Sequence, residues 1–338
     1  MEPTNQPAQD GKNTDEKNTD GRASDETRPK RADGRRPILV GTSLETGSDP
    51  AVRAGFEIAR RAGLPLHLYH GHPIPTAFQT APDPASASPD IRCESDVRQR
   101  LLNEQLDRLG HRRTDIDAVD VAVGTPHRLL LEAAADRDAG LLVLGARETD
   151  RPAWLGSTAD RVLRSVRCPV WVVDGEPLVP PRRVLAPVDL SHYSRDSLIR
   201  GLEVLAGAGD PAPDVEVLFV LTPKEIEKHP HDSAAEIRLR REEELRTFTE
   251  ELATGGRFTF GHTVREGDVR AEIVGAAVET SSDLLVLGTR ALSGFERFLL
   301  GSVSADVAAR ARVSALIVPP RPPRPSPAPG DDPDPETP

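Results

Sequence analysis

Apolar residues in this chain fall into short unbroken runs, and the stretches between the runs show helical spacing. The run at 38–41, Ile-Leu-Val-Gly, has no polar alternation, as a strand buried on both faces requires. The pattern then predicts a helix over 51–62 with Gly63 as its C-cap, a strand over 64–69, and a Pro/Ala/Ser-rich loop reaching about Pro89. From 96 to 109, Val97, Leu101, Leu102, Leu106 and Leu109 recur on one helical face. A strand over 118–123, a helix over 127–135, a strand over 140–144, a helix over 158–166 and a strand over 170–173 follow. Strands alternating with helices imply βαβ units and a parallel sheet covered on both faces.

The pattern then repeats. Leu-Leu-Val-Leu-Gly stands at 141–145 and again at 284–288, and Gly156-Ser157 returns as Gly301-Ser302, 145 residues on. The second set of elements covers 183–188, 197–206, 215–221, 233–252, 257–264, 269–279, 283–287, 302–311 and 315–318. A period this long marks a duplicated domain and not a solenoid. The expected domains are 37–174 and 183–318, joined by a short stiff linker at 175–182. Residues 1–36 have almost no apolar content and are expected to be disordered, since they cannot bury enough surface to offset chain entropy. Residues 319–338 are Pro-rich and acidic, the composition of an extended tail.

A net charge of −11 argues against broad electrostatic binding to nucleic acid or anionic lipid, and 4% aromatic residues leave little for base stacking. No apolar run approaches the roughly 18 residues of a membrane span. The polar start from Met1 lacks the apolar core of a secretory signal, so a cytoplasmic location is expected. Cys93 and Cys168 have neither CxxC spacing nor the ligand count of a zinc site, and Cys168, just before an apolar run, reads as a core residue.

Ligands of open parallel sheets bind beyond the carboxyl ends of the strands, where strand order reverses. That rule selects 41–45 and 145–157 in the first copy, and 187–192 and 288–304 in the second. In the second copy the loop reads Gly288-Thr-Arg290-Ala291, then nine residues, then Gly301-Ser302. Backbone N–H groups of a glycine-rich loop can approach phosphate oxygens closely, and a helix opened by Gly301-Ser302 favours an anion at its N-terminus. Ser302 and Ser304 add hydroxyl donors and Arg290 a cation. Asp189, at the end of the first strand, can accept hydrogen bonds from a base or ribose across the same crevice, or help hold a metal.

These residues resemble the universal stress protein (UspA) family. Val-Leu-Ala-Pro-Val-Asp-Leu-Ser at 184–191 is similar to the opening strand of that family, and 287–304 resembles its ATP-binding signature, G-x2-G-x9-G-[ST]. Both halves, about 37–174 and 183–318, carry the resemblance, so the chain looks like a tandem two-domain member. The resemblance implies two Rossmann-like (adenine nucleotide alpha hydrolase-like) domains, each an open five-stranded parallel sheet with helices on both faces. It implies a stress-response role, ATP with Mg2+ or Mn2+, and pairing through the last strands, between the two copies or in a homodimer. Carried over, Pro187, Val188 and Asp189 line the adenine and ribose end. Leu287, Gly288, Arg290 and Ala291 wrap the ribose and phosphates, and Gly301, Ser302, Val303 and Ser304 bind the triphosphate. Ala291 stands where the signature has its second glycine; if that position needs a positive φ, the methyl group costs on the order of 1 kcal/mol.

The first copy departs further. Thr42 or Ser43 occupies the place of the strand-end acid, Glu148 replaces the second glycine, and the stretch to Gly156 is two residues shorter. A carboxylate facing a triphosphate repels it unless a metal intervenes. Pro152 and Trp154 stiffen and fill the shortened loop. Gly156-Ser157 with Asp160 is a capping arrangement that any helix can use. The first copy is therefore expected to be degenerate and to support the other. His67, His70 and His72 cluster near the end of the second strand, with His70 and His72 on one face. They are expected as solvated strand-end residues, and His229 and His231 in their loop likewise. The charge run 238–244 reads as a solvated helix face. No nucleophile elbow, general base or phosphate-clamping lysine stands in the loops, so the chain reads as a binding and regulatory protein, at most a slow ATPase. The alternative is an interaction protein of the same family type that binds no nucleotide; Ala291 and the degraded first copy favour it.

Overall fold

The computed structural model describes residues 35–73, 88–146, 155–289 and 302–319, with backbone alone for 88–95, 302, 305, 308 and 309. The expected tails at 1–36 and 319–338 lie almost wholly outside the described residues, as do Glu148, Pro152 and Trp154. The unit Arg36–Pro338 carries every element. In the first repeat these are β1 (Ile38–Gly41), α1 (Asp49–Ala62), β2 (Leu66–His72), α2 (Ser88–Arg108), β3 (Ala118–Val123), α3 (Pro126–Asp136), β4 (Leu141–Gly145), α4 (Ser157–Leu163) and β5 (Val170–Val173). The second repeat has β6 (Arg183–Pro187), α5 (His192–Gly207), β7 (Asp214–Leu221), a short α6 (Pro223–Glu227), α7 (Ala234–Ala253), β8 (Thr259–Glu266), α8 (Val269–Glu279), β9 (Leu284–Gly288), α9 (Ser302–Arg310) and β10 (Ser314–Val318).

The strands run β3-β2-β1-β4-β5-β10-β9-β6-β7-β8. Within each repeat every pairing is parallel, as the unbroken apolar runs require. The repeats do not keep separate sheets. β5 and β10 pair antiparallel, with Val170 opposite Ile317, Trp171 opposite Leu316 and Val172 opposite Ala315. The outermost strands β3 and β8 are half-buried or exposed along most of their length. On one face Val40, Trp171, Val184 and Leu316 belong to one core cluster; on the other Leu39, Val170, Leu285 and Ile317 belong to a second. Both clusters draw residues from both repeats.

The histidine expectation is overturned. His67, His70 and His72 are 5%, 5% and 3% exposed, not solvated. The apolar run stops at Tyr69, which suggested a strand end, but β2 lies between β1 and β3, and the ladder to β3 holds it in register through His72↔Val123. Helix α2 also begins earlier than its apolar stripe. Cys168 is half-buried, and burial pushes its thiol up to about 11, which makes it a poor nucleophile near neutrality. Among the described residues no helix is long and apolar enough to cross a membrane.

Two helix glycines set the depth at which α1 and α5 sit on the sheet. A Cβ on Gly55 would lie 2.2 Å from Val40 Cγ2, and one on Gly201, 146 residues later, would lie 2.6 Å from Val286 Cγ1. Alanine gains about 1 kcal/mol of helix propensity over glycine, whereas overpacking a filled core costs about 1–3 kcal/mol. Val40 is stiff at χ1 and fully buried, so packing wins. Gly55→Ala is expected to lower the unfolding free energy by about 1–2 kcal/mol in urea titration.

Candidate functional site

In the second repeat, β6 and β9 are neighbours through Val184↔Leu284 and Leu185↔Leu285, so their carboxyl ends emerge side by side. Pro187 ends β6, and the Val188 N–H donates to Leu218 O at 2.8 Å, which holds the chain to β7 for one more residue. Asp189 is half-buried, and its Oδ1 accepts the Ser191 N–H at 3.0 Å. Between them Leu190 has φ 59°, a left-handed backbone that L-residues rarely adopt. Ser191 then caps α5, accepting the Ser194 N–H at 3.2 Å. The turn thus fixes Asp189 at the strand end and starts the helix.

Across the crevice, Leu287 is buried and Gly288 ends β9. Helix α9 returns to that strand end, and Ser304 Oγ donates to Gly288 O at 2.7 Å. The hydroxyl proton of Ser304 is therefore committed to the backbone, which differs from its expected role as a free donor. Val303 is half-buried on the same turn, and Ser302 opens the helix. Pro187, Val188, Asp189, Leu287, Gly288, Ser302, Val303 and Ser304 lie at this strand-end edge; Arg290, Ala291 and Gly301 lie outside the described residues. Among the described residues no group of three or more His, Cys, Asp or Glu could hold a metal by itself.

The first repeat builds the same edge with different chemistry. Leu44, at the position of Leu190, also has a positive φ, 69°. Ser43 stands in place of Asp189, and Thr42 Oγ1 accepts the Leu44 N–H at 3.0 Å. A cavity of about 260 Å³ opens at the carboxyl ends of β1, β2 and β4, walled by Thr42, Ser43, Glu45, Ser48, His70 and Arg98 among others. Beneath it runs a buried polar chain. Thr42 Oγ1 donates to Gln105 Oε1 at 2.8 Å, and Gln105 Nε2 donates to Asp49 Oδ1 at 2.7 Å and Ser48 Oγ at 3.1 Å. Arg108 closes the chain with a bidentate bond to Asp49, at 2.9 and 2.8 Å. Burial alone would raise the Asp49 pKa, but the bonds from Arg108 and Gln105 outweigh it and hold the carboxyl below the usual range.

His70 stands in the same wall. Its Nδ1 lies 2.8 Å from Thr42 O, and since a carbonyl only accepts, Nδ1 carries the proton. Burial pushes the ring's pKa down, against the Thr42 bond, and the neighbouring His72 and Arg98 push it further. Sequence reasoning missed Ser48, Asp49, Arg98, Gln105 and Arg108. One signal was available: Gln105 interrupts the stripe Leu101, Leu102, Leu106, Leu109, and a polar residue on an apolar face needs a buried partner.

The universal stress protein family model matches residues 34–174 and 181–319. A universal stress protein of Mycobacterium tuberculosis is 24% identical over 298 residues, spanning 83% of this chain and 95% of its own. A universal stress protein from Archaeoglobus fulgidus superposes with a TM-score of 0.59 at 15% identity, over 84% of this chain and 98% of its own. A Pseudomonas aeruginosa protein described as functionally unknown does so with a TM-score of 0.59 at 19% identity, over 85% and 93%. At those identities the two structures speak for the fold alone.

Proposed function

We propose a function on the premise that the family match supplies: this chain belongs to the universal stress protein family. The second repeat binds ATP, and the chain acts as a stress-response regulator and not as a catalyst. The observation that carries this reading is the neighbouring strands β6 and β9, with Asp189 held by the Ser191 N–H just past the end of one and the first turn of α9 tied to Gly288 at the end of the other. The residues fit the ligand. Asp189 is an acceptor for ribose or base donors, the end of β9 and the α9 N-terminus suit phosphate oxygens, and Asp189 would be the side chain to help hold a Mg2+ or Mn2+ ion in place of the ribose contact. Regulation follows by population shift: ATP favours one conformer, and a partner or a second copy reads it.

Asp189→Ala is expected to weaken ATP binding about tenfold or more by calorimetry, the effect of losing a charged acceptor of about 1.5–3 kcal/mol. A wild-type chain without ATP affinity at millimolar nucleotide overturns the proposal. The second reading, an interaction protein without nucleotide, draws on Ala291 and on the committed Ser304 hydroxyl. Nucleotide absorbance carried through purification separates the two.

A further inference from the structure

Strand β2 ends in histidines, and two of them stand on the face that carries Leu66 and Leu68. His70 and His72 are buried, and their rings stack with centroids 5.9 Å apart and planes inclined by 16°. Both line the first-repeat cavity. His70 Nδ1 donates to Thr42 O, just past the end of β1, so the ring ties that strand end to β2. In this tautomer Nε2 is a bare acceptor; it is sealed from solvent and has no hydrogen-bond partner among the described residues. His70 is therefore held in its slot as a neutral ring.

A proton on Nε2 converts that acceptor into a donor and puts a charge in the slot, and a buried donor or charge without a partner is costly. The surroundings give little relief. On β2 itself His72 is the neighbouring titratable group, with His67 and Tyr69 on the opposite face. From α2 come Arg98 and Gln105, with Arg108 behind them, and from the turn between β1 and α1 come Glu45 and Asp49. Strand β3 places Val121 beside His70 and Asp120 beside Tyr69 on the other face; β4, α3 and α4 add only uncharged residues to the cavity wall among the described residues. Of the two carboxylates, Asp49 is engaged by Gln105 and Arg108, whereas Glu45 stands exposed at the cavity. Burial lowers the His70 pKa, and His72 and Arg98 lower it further, against the Thr42 bond. The neutral ring thus contributes its stability in full above the ordinary histidine value of about 6.5, and loses it as pH falls from there through the lowered folded value.

We propose that His70 is an acid-operated latch on the first-repeat cavity. Neutral, it pins Thr42 and with it the end of β1; protonated, it leaves its slot for the cavity and Glu45, and the released Thr42 pulls on Gln105, to which its hydroxyl donates. The test follows the imidazole nitrogens and the Thr42 and Gln105 amides of the full 15N-labelled chain by NMR, from about pH 7.5 to about pH 4.5, with His70 assigned by its loss in His70→Asn. The expected result is the Nδ1–H tautomer at the start, one His70 midpoint below about 6.5, and Thr42 and Gln105 shifting with that same midpoint. The Asp49 carboxyl is held below the usual carboxylate range and titrates outside this window. Asparagine keeps a donor near the place of Nδ1 and does not titrate, so in His70→Asn the step at Thr42 and Gln105 is expected to vanish. Glu45→Gln, at an exposed position, is expected to move the wild-type midpoint lower, since it removes the carboxylate that receives the charge. A ring that stays neutral to the end of the titration overturns the proposal, as does a midpoint with no change at Thr42 and Gln105, a step there that survives His70→Asn, or a midpoint unmoved in Glu45→Gln. Should His70→Asn not fold, the coincidence of midpoints in the wild type and the Glu45→Gln shift decide.

Discussion

Trp171→Ala is expected to lower the unfolding free energy by about 3–5 kcal/mol, the range for removing a large buried aromatic. Trp171 is 1% exposed and stands opposite Leu316 on the antiparallel seam. Its ring belongs to the cluster that also holds Val40 of β1 and Val184 of β6, so the cavity left behind opens between the two repeats. Its indole nitrogen finds no hydrogen-bond partner among the described residues, which takes something off the native side chain's contribution. Trp171→Phe is therefore expected to cost much less than Trp171→Ala. Urea titration checks both: the midpoint falls in the order wild type, Phe, Ala. Equal midpoints for Ala and wild type would remove the seam from the account of stability.

Asp49→Ala should be the next most damaging, by about 2–3 kcal/mol. The side chain of Arg108 is 40% exposed, so its charge can return to water, but Gln105 is fully buried and loses the shorter of its two amide N–H bonds, keeping only the one to Ser48 Oγ. The chain Thr42–Gln105–Asp49–Arg108 ties α2 to the end of β1, so the same change should loosen the wall of the first-repeat cavity. The sign with pH is fixed by the lowered pKa of Asp49. Its contribution is fully present above the ordinary carboxylate range and is lost as pH falls through the lowered value. The gap in stability between wild type and Asp49→Ala should accordingly shrink as the solution is acidified below about pH 4. A gap that is constant from pH 7 to pH 3 would contradict it.

Strand identity was legible because strands buried on both faces are written as unbroken apolar runs, and the duplication was legible because those runs recur. What joins the repeats was legible only through the family resemblance, which implied pairing through the last strands and left open whether within one chain or between two. Nothing in Val-Trp-Val-Val or Ser-Ala-Leu-Ile-Val says whether the next strand is antiparallel, in the same chain or in another. The end of β2 was misjudged because the strand continues in histidines, whose burial depends on helices and strands distant in sequence. Gly55 and Gly201 could have been found from their equal place in the two copies, since a glycine kept inside a helix pattern twice points to close approach. Ser304 shows the reverse limit: the residue type suggested a free donor, and only the path of α9 reveals that Gly288 O takes its proton.

Among the described residues the one antiparallel junction, between β5 and β10, also decides where the two crevices look. All strands of the first repeat run with β5, all strands of the second with β10, and those two oppose each other. The carboxyl ends of the two sets therefore open on opposite edges of the sheet. A molecule held by Asp189 and one held in the first-repeat cavity face away from each other, and a single rigid partner meets one of them at a time. If the two sites inform each other, the message travels along the strands and across Trp171 and Leu316, as a shift in how two halves of one sheet lie against each other.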